Sequence, residues 1–170
     1  MLSIKEVEIP VPQHNEVLVR VYAATVSRTD CHVLSGRPFF MRLFTGLLKP
    51  RLTITGTDFA GQIEATGKNV TTFKPGDKVM GFEFFGLRSH ANYLVLPEIK
   101  DIVIIPENQS YHEAAASIEG AFYALSVFKK MNSKAGQKAL VNGATGAIGR
   151  CRYARPLINY YNFSDRKSTR

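Results

Sequence analysis

Two stretches of this chain carry residue types whose spacing could do chemistry. The first is Gly143-Ala144-Thr145-Gly146-Ala147-Ile148-Gly149, where glycine recurs every third residue after the apolar pair Leu140-Val141. A helix that starts at such a turn offers unpaired N–H groups and the positive end of its dipole, a seat for a pyrophosphate. Bare glycines let the phosphates approach the backbone and let helix pack on strand. Ordinary glycine-rich turns share this spacing, and a glycine triplet alone is a weak sign. What favours the nucleotide is the context, a short buried strand at Lys138–Asn142 leading into the turn. The second stretch is Ser27-Arg28-Thr29-Asp30-Cys31-His32, a concentration of polar groups just after a strongly apolar strand, where site residues tend to sit.

The elements that must position these groups follow from periodicity and breakers. Leu2–Ile9 alternates partly and ends at Pro10 and Pro12, so it reads as an extended entry strand. Glu16–Ala24 is a stronger strand, apolar nearly throughout and so buried on both faces or covered by a second layer. Phe39, Phe40, Leu43, Phe44, Leu47 and Leu48 fall on one face at helical spacing, flanked by Arg37, Arg42, Lys49 and Arg51. That helix is either a lid packed on the core or, as the alternative, a membrane-surface helix. Beyond it come Gly56-Thr57-Asp58 as a polar turn, with Asp58 as a turn-former, and strands at Phe59–Ala65, Lys78–Phe82, His90–Leu96 and Ile102–Pro106. Phe73-Lys74-Pro75-Gly76-Asp77 is a Pro-Gly turn between two of them. Short strands broken by turns predict a barrel-like β domain. Ser110-Tyr111-His112-Glu113 is a capping box that opens a helix running to about Met131.

Composition excludes several classes. Residues 1–149 hold 16 Lys+Arg against 13 Asp+Glu, and residues 150–170 hold 6 against 1, so the net +8 sits mainly in a short tail. No face interleaves basic and aromatic residues, which argues against nucleic acid. No apolar run is long enough to span a bilayer. The only cysteines are Cys31 and Cys151, so no disulfide framework is expected and a reducing, cytoplasmic setting is.

Five spaced motifs in order give a more specific reading. They are Asn15–Val21, Gly56-Thr57-Asp58-Phe59-Ala60-Gly61 with Gly67, Phe73–Val79, Ala114-Ala115-Ala116, and the glycine turn. Together they resemble the medium-chain dehydrogenase/reductase superfamily, and within it the zinc-free, quinone-oxidoreductase-like branch. The resemblance implies an α+β fragment: a GroES-like β-barrel domain over residues 1–110, then a connecting helix and the first βα unit of a Rossmann domain over 111–149. It implies a further strand before Leu2. It implies a nicotinamide cofactor, NADPH with NADH left open, held by Gly143, Ala144, Thr145, Gly146, Ala147, Ile148 and Gly149. The chemistry implied is hydride transfer to a quinone, enone or other activated carbonyl, in a parent protein that forms a homodimer. In the zinc-dependent branch a Cys ligand stands where Ser27 is and a His where Thr57 is, so no metal is expected here. Ser27 falls where zinc-free relatives keep a polar residue near the nicotinamide. Thr29 and His32 match proton-relay positions of the zinc branch, but without the metal a hydrogen-bonded, structural His32 is the favoured reading. Tyr93 and Tyr123 are further hydroxyl donors, for which core packing is the ordinary fate.

After Gly149 the resemblance stops. Arg150, Arg152 and Arg155 fall on what should be a buried helix face, and Pro156 would break the helix. Asp165–Arg170 match the conceptual translation of a sequencing adapter. Residues 150–170 are therefore expected to be an aberrant, disordered tail on a gene fragment. Such a fragment is expected to bind nucleotide weakly or not at all. The alternative function is a non-catalytic GroES-like binding or oligomerisation module.

Overall fold

A strand with apolar side chains at alternate positions needs a neighbour on each edge and a cover on one face, and the central strands here have both. In the strand Glu16–Ala23 the other face leaves Arg20 and Tyr22 exposed, so it is not buried on both faces as expected. The computed structural model describes residues 3–35, 54–82, 88–100, 102–131 and, in the glycine turn, 143, 145, 146, 148 and 149. The elements are β1 (Glu16–Ala23), α1 (Arg28–Ser35), β2 (Asp58–Thr66), β3 (Lys78–Phe82), β4 (Tyr93–Pro97), β5 (Ile102–Ile104) and α2 (Tyr111–Met131). The helix expected over 39–48, the strand Lys138–Asn142, Ala144, Ala147 and residues 150–170 lie outside the described residues.

The five strands form one antiparallel sheet in the order β4-β1-β2-β3-β5. Laid flat, its edges would stand about 19 Å apart at the usual strand spacing. Yet the two edge strands are consecutive in sequence, and Lys100 N–H donates to the Pro97 carbonyl at 3.1 Å in the turn between them. A turn closed in this way spans under about 7 Å. The sheet must therefore roll to bring its edges together, although β4 and β5 do not pair among the described residues. Its inner face gathers Val17, Val19, Phe59, Ile63, Val79, Leu94, Leu96 and Ile102, and Phe73 joins the same cluster. The opposite face of β2 and β3 gives Ala60, Met80 and Phe82 to α2, which answers with Ala114, Ala115 and Ile118. These recur at one-turn spacing, and small alanines let the helix lie close to the sheet.

Local signals explain the boundaries. Ser110 Oγ accepts from the Glu113 N–H at 3.3 Å while Glu113 Oε2 accepts from the Ser110 N–H at 2.9 Å, the reciprocal cap expected for α2. The Pro75-Gly76 turn forms as expected, with Gly76 at φ +94° and Asp77 N–H donating to the Lys74 carbonyl. Two expectations need correcting. β4 starts at Tyr93 rather than His90, because the His90 N–H is committed to the Thr55 carbonyl at 2.9 Å, in another loop. The entry strand does not form: residues 3–13 join no strand, and Ile4, Val7, Ile9 and Val11 are exposed. Pro10 and Pro12 remove N–H donors from one edge of that segment, and no described strand lies along the other.

β1 and β2 approach so closely that a Cβ at Gly61 would lie 2.3 Å from the Arg20 carbonyl oxygen. Gly61→Ala should cost about 2–3 kcal/mol through overpacking. Gly76→Ala meets nothing within 4 Å and is strained only by its backbone angle, at about 1 kcal/mol. Urea midpoints check the contrast: Gly61→Ala should fall well below Gly76→Ala, and equal losses would show that the strands can part at no cost.

Candidate functional site

The segment after β1 is held by carboxylates. Residues 25, 27 and 29 each bond to one, and the three acids come from different places. Asp58, the first residue of β2, accepts the Thr25 N–H on Oδ1 at 2.7 Å and the Thr25 hydroxyl on Oδ2. Asp30 accepts the Ser27 N–H at 2.8 Å, and Ser27 Oγ accepts the Asp30 N–H at 3.3 Å. That exchange is a capping box for α1 with Asp in the third helical position. Thr29 Oγ1 donates across to Glu119 Oε1 of α2 at 3.4 Å. Asp58 and Asp30 are buried, at 0% and 1% exposure.

His90 braces the same segment from β4's approach. Its Nε2 lies 2.8 Å from the Thr25 carbonyl oxygen, which only accepts, so Nε2 carries a proton. Its Nδ1 lies 2.7 Å from Thr55 Oγ1 and, in the neutral ring, accepts from it. Next to Thr55, Gly56 has φ +108°, and a Cβ there would sit 2.2 Å from Ser89 Oγ, so only glycine fits. Thr57 Oγ1 and Ser89 Oγ are buried without a hydrogen-bond partner among the described residues.

Burial raises the Asp58 carboxyl above its ordinary 3.8, against the pull of the two Thr25 bonds. Burial raises Glu119 as well, helped by the negative charges of Asp58 and Asp30 and opposed by the Thr29 bond. Tyr123, one turn along α2, is raised by burial and by Glu119.

Of the residues singled out in the sequence, Ser27 and Thr29 come together at the N-terminus of α1, both half-buried, while His32 lies about a turn further on and is exposed. Because Ser27 Oγ accepts the cap bond, the hydroxyl can still donate its own proton. Tyr93 and Tyr123 are both half-buried, and Tyr123 packs its ring against Phe82 and Phe122. In the glycine turn, Gly143 has φ +71°, Gly146 N–H donates to the Gly143 carbonyl at 3.0 Å, and Ile148 and Gly149 are helical. Gly143, Thr145 and Gly146 are exposed.

Asp58 is not a turn-former. It is the first residue of a buried strand, paired with Phe82, and its side chain fixes another loop. In the sequence Asp30 reads only as part of the polar stretch after β1, and Glu119 and His90 were missed. An acid inside the apolar run Ala114–Leu125 was the available sign for Glu119. Among the described residues no group of three or more His, Cys, Asp or Glu side chains is disposed to hold a metal ion.

Comparison with known proteins points one way. The family described as the alcohol dehydrogenase GroES-like domain matches residues 13–107. The quinone oxidoreductase of Sus scrofa is 33% identical over 154 residues, covering 88% of this chain and 44% of that protein. The solved quinone oxidoreductase from Coxiella burnetii superposes with a TM-score of 0.71 at 25% identity, covering 91% of this chain and 47% of its own. A mycobacterial protein solved in complex with NADPH shares the fold at a TM-score of 0.69 and 22% identity, covering 87% of this chain and 43% of its own. The chain thus spans less than half the length of each of these three relatives.

The raised Asp58 gives a pH dependence. A carboxyl whose pKa is raised on folding stabilises fully below its unfolded value, near 3.8, and loses that contribution as pH rises through the folded value. Asp58→Asn keeps an acceptor for the Thr25 N–H without the buried charge. Its stability relative to the unsubstituted chain should therefore improve as pH rises from 4 to 8, read as the difference in Tm. A difference that does not change with pH would show that the buried carboxyl is unperturbed.

Proposed function

This chain belongs to the alcohol dehydrogenase GroES-like domain family, within the medium-chain dehydrogenase/reductase superfamily, and from that premise we propose a function for the protein it represents. It is an NAD(P)H-dependent oxidoreductase that works without zinc and reduces a quinone, enone or similarly activated carbonyl. The observation that carries this reading is the likeness to a quinone oxidoreductase across 88% of the chain.

The donor chemistry agrees with a zinc-free site. Zinc takes thiolate, imidazole or carboxylate ligands, and Ser27 and Thr57 offer hydroxyls. Ser27 is further committed to the cap of α1. The glycine turn fits a dinucleotide at the residues described: Gly143 takes the left-handed conformation, nothing lies within 4 Å of where its Cβ would be, and a helix opens at Ile148. Residues 143–149 would hold the pyrophosphate, and a bound reduced nicotinamide would supply hydride. With no Lewis acid, charge that develops on the substrate oxygen falls to hydrogen-bond donors. The Ser27 and Thr29 hydroxyls are those donors, Thr29 when its proton is not given to Glu119, and their elements are fixed before substrate arrives. His32 is exposed on α1, and a hydrogen-bonded, structural role is the reading favoured for it. The substrate is a small molecule, the assembly a homodimer and the compartment the cytoplasm. No helix among the described residues is long and apolar enough to cross a membrane.

A second reading, a non-catalytic binding or oligomerisation module, is favoured by the exposed apolar residues Ile4, Val7, Ile9 and Val11.

The test is turnover by the full-length protein encoded by the gene, with NADPH or NADH and a benzoquinone or an enone. Quinone and enone should be reduced, chelators should not abolish the activity, and Thr29→Val should lower kcat about 10–100-fold. Brisk ethanol oxidation with quinones and enones ignored, or loss of activity to a chelator, would overturn the reading. The 170-residue chain alone should show no saturable NADPH binding in the micromolar range by cofactor fluorescence. Concentration-dependent sedimentation without any turnover by the full-length protein would select the module.

A further inference from the structure

Glu119 is chemically out of place on α2. Its sequence neighbours Ile118, Gly120, Ala121 and Phe122 are apolar, and Ile118 and Ala121 are buried. Its carboxylate meets the Thr29 hydroxyl of α1. The charges it feels are those of Asp58 from β2 and Asp30 from α1, both negative. Tyr123, one turn along α2, feels the Glu119 charge, and His90 acts electrostatically on Asp58. Burial and these charges all favour the neutral acid, and only the Thr29 bond favours the carboxylate.

A hydroxyl both donates and accepts, but an ionised carboxylate only accepts. Against ionised Glu119, Thr29 must spend its proton on Oε1, and it then shows only lone pairs elsewhere. Against the neutral acid, Glu119 can donate to Thr29 Oγ1, which frees the Thr29 proton. We propose that Glu119 is a positioning residue whose protonation decides whether Thr29 offers the site a hydrogen-bond donor or an acceptor. This rests on the reading above that Thr29 faces the substrate. In a reduction the substrate oxygen would take the Thr29 proton, while a bound reduced nicotinamide would supply the hydride with its electron pair. The Glu119 acid returns a proton to Thr29 and is left as the carboxylate, which reloads from solvent. The neutral acid therefore serves reduction, and the carboxylate serves the reverse direction.

The test needs no turnover. In the full 170-residue chain, NMR follows the Glu119 side-chain carboxyl carbon and the Thr29 methyl from pH 4 to 9. Both should titrate with one midpoint, above the ordinary glutamate value of 4.5. Glu119→Gln should abolish the Thr29 inflection. Thr29→Val should move the Glu119 midpoint further up, since the bond that favours the charged form is gone, and Thr29→Ser should bring it back. A Glu119 midpoint unmoved by Thr29→Val, or a Thr29 inflection that survives Glu119→Gln, would overturn the proposal. Should Glu119→Gln lose its dispersed amide spectrum, the Val and Ser variants at position 29 decide alone. Turnover by the full-length protein is a separate readout: its failure would sink the oxidoreductase reading while the coupled titration stood, and an absent coupling would sink this proposal while turnover stood.

Discussion

The buried Asp58 carboxylate is the constraint on which the rest of this site depends. It opens β2 at the point where that strand is covered on both faces, and it reaches across to take two hydrogen bonds from Thr25. A buried carboxylate without such partners would be costly, and one accepting a backbone N–H and a hydroxyl offsets much of its desolvation. The result is that the exit of β1 is fastened to the entrance of β2. Once Thr25 is fixed, Ser27 falls where it can cap α1, and Thr29 falls where it meets Glu119. The orientation of α1 is thus inherited from a strand rather than set by helix packing alone.

Carboxylates that satisfy backbone N–H groups recur in this chain. Glu16 takes the Gln13 N–H, Asp77 the Lys74 N–H, Glu98 those of Thr71 and Thr72, and Glu113 that of Ser110. Those bonds are exposed to water and each does a local job. Asp58 and Asp30 use the same bond where water is scarce, and Glu119 accepts the Thr29 hydroxyl in the same region, so these acids carry a larger electrostatic consequence. Structural support and tuning of the site are the same interactions here.

Much of the fold could be read from the residues because its signals are local. The Ser110–Glu113 cap, the Pro75-Gly76 turn and the apolar strands at 16–24, 59–65 and 78–82 each declare themselves within a few residues. The carboxylate partners did not, because Thr25 and Asp58 are 33 residues apart and Thr29 and Glu119 are 90 apart. Asp58 follows Gly56-Thr57 and so imitates a turn residue, while its actual role needs knowledge of which loop lies above it. The entry segment shows the opposite error: alternation suggested a strand, but alternation only prepares a strand, and a neighbour is needed to make one. Ser27 and Thr29 were legible as polar residues beyond a strand. That Ser27 holds the helix cap and keeps a proton to give was not.

The central claim is that segment 25–30 is held rigid by carboxylates before any ligand binds. Amide hydrogen exchange of Thr25 and Ser27 in the 170-residue chain tests it most directly, because both N–H groups end on buried acids. The account predicts that both amides exchange as slowly as those of the central strand β2, only through global opening. Exchange at the rate of the exposed segment 3–13 would show that the loop moves freely and that the acids do not hold it.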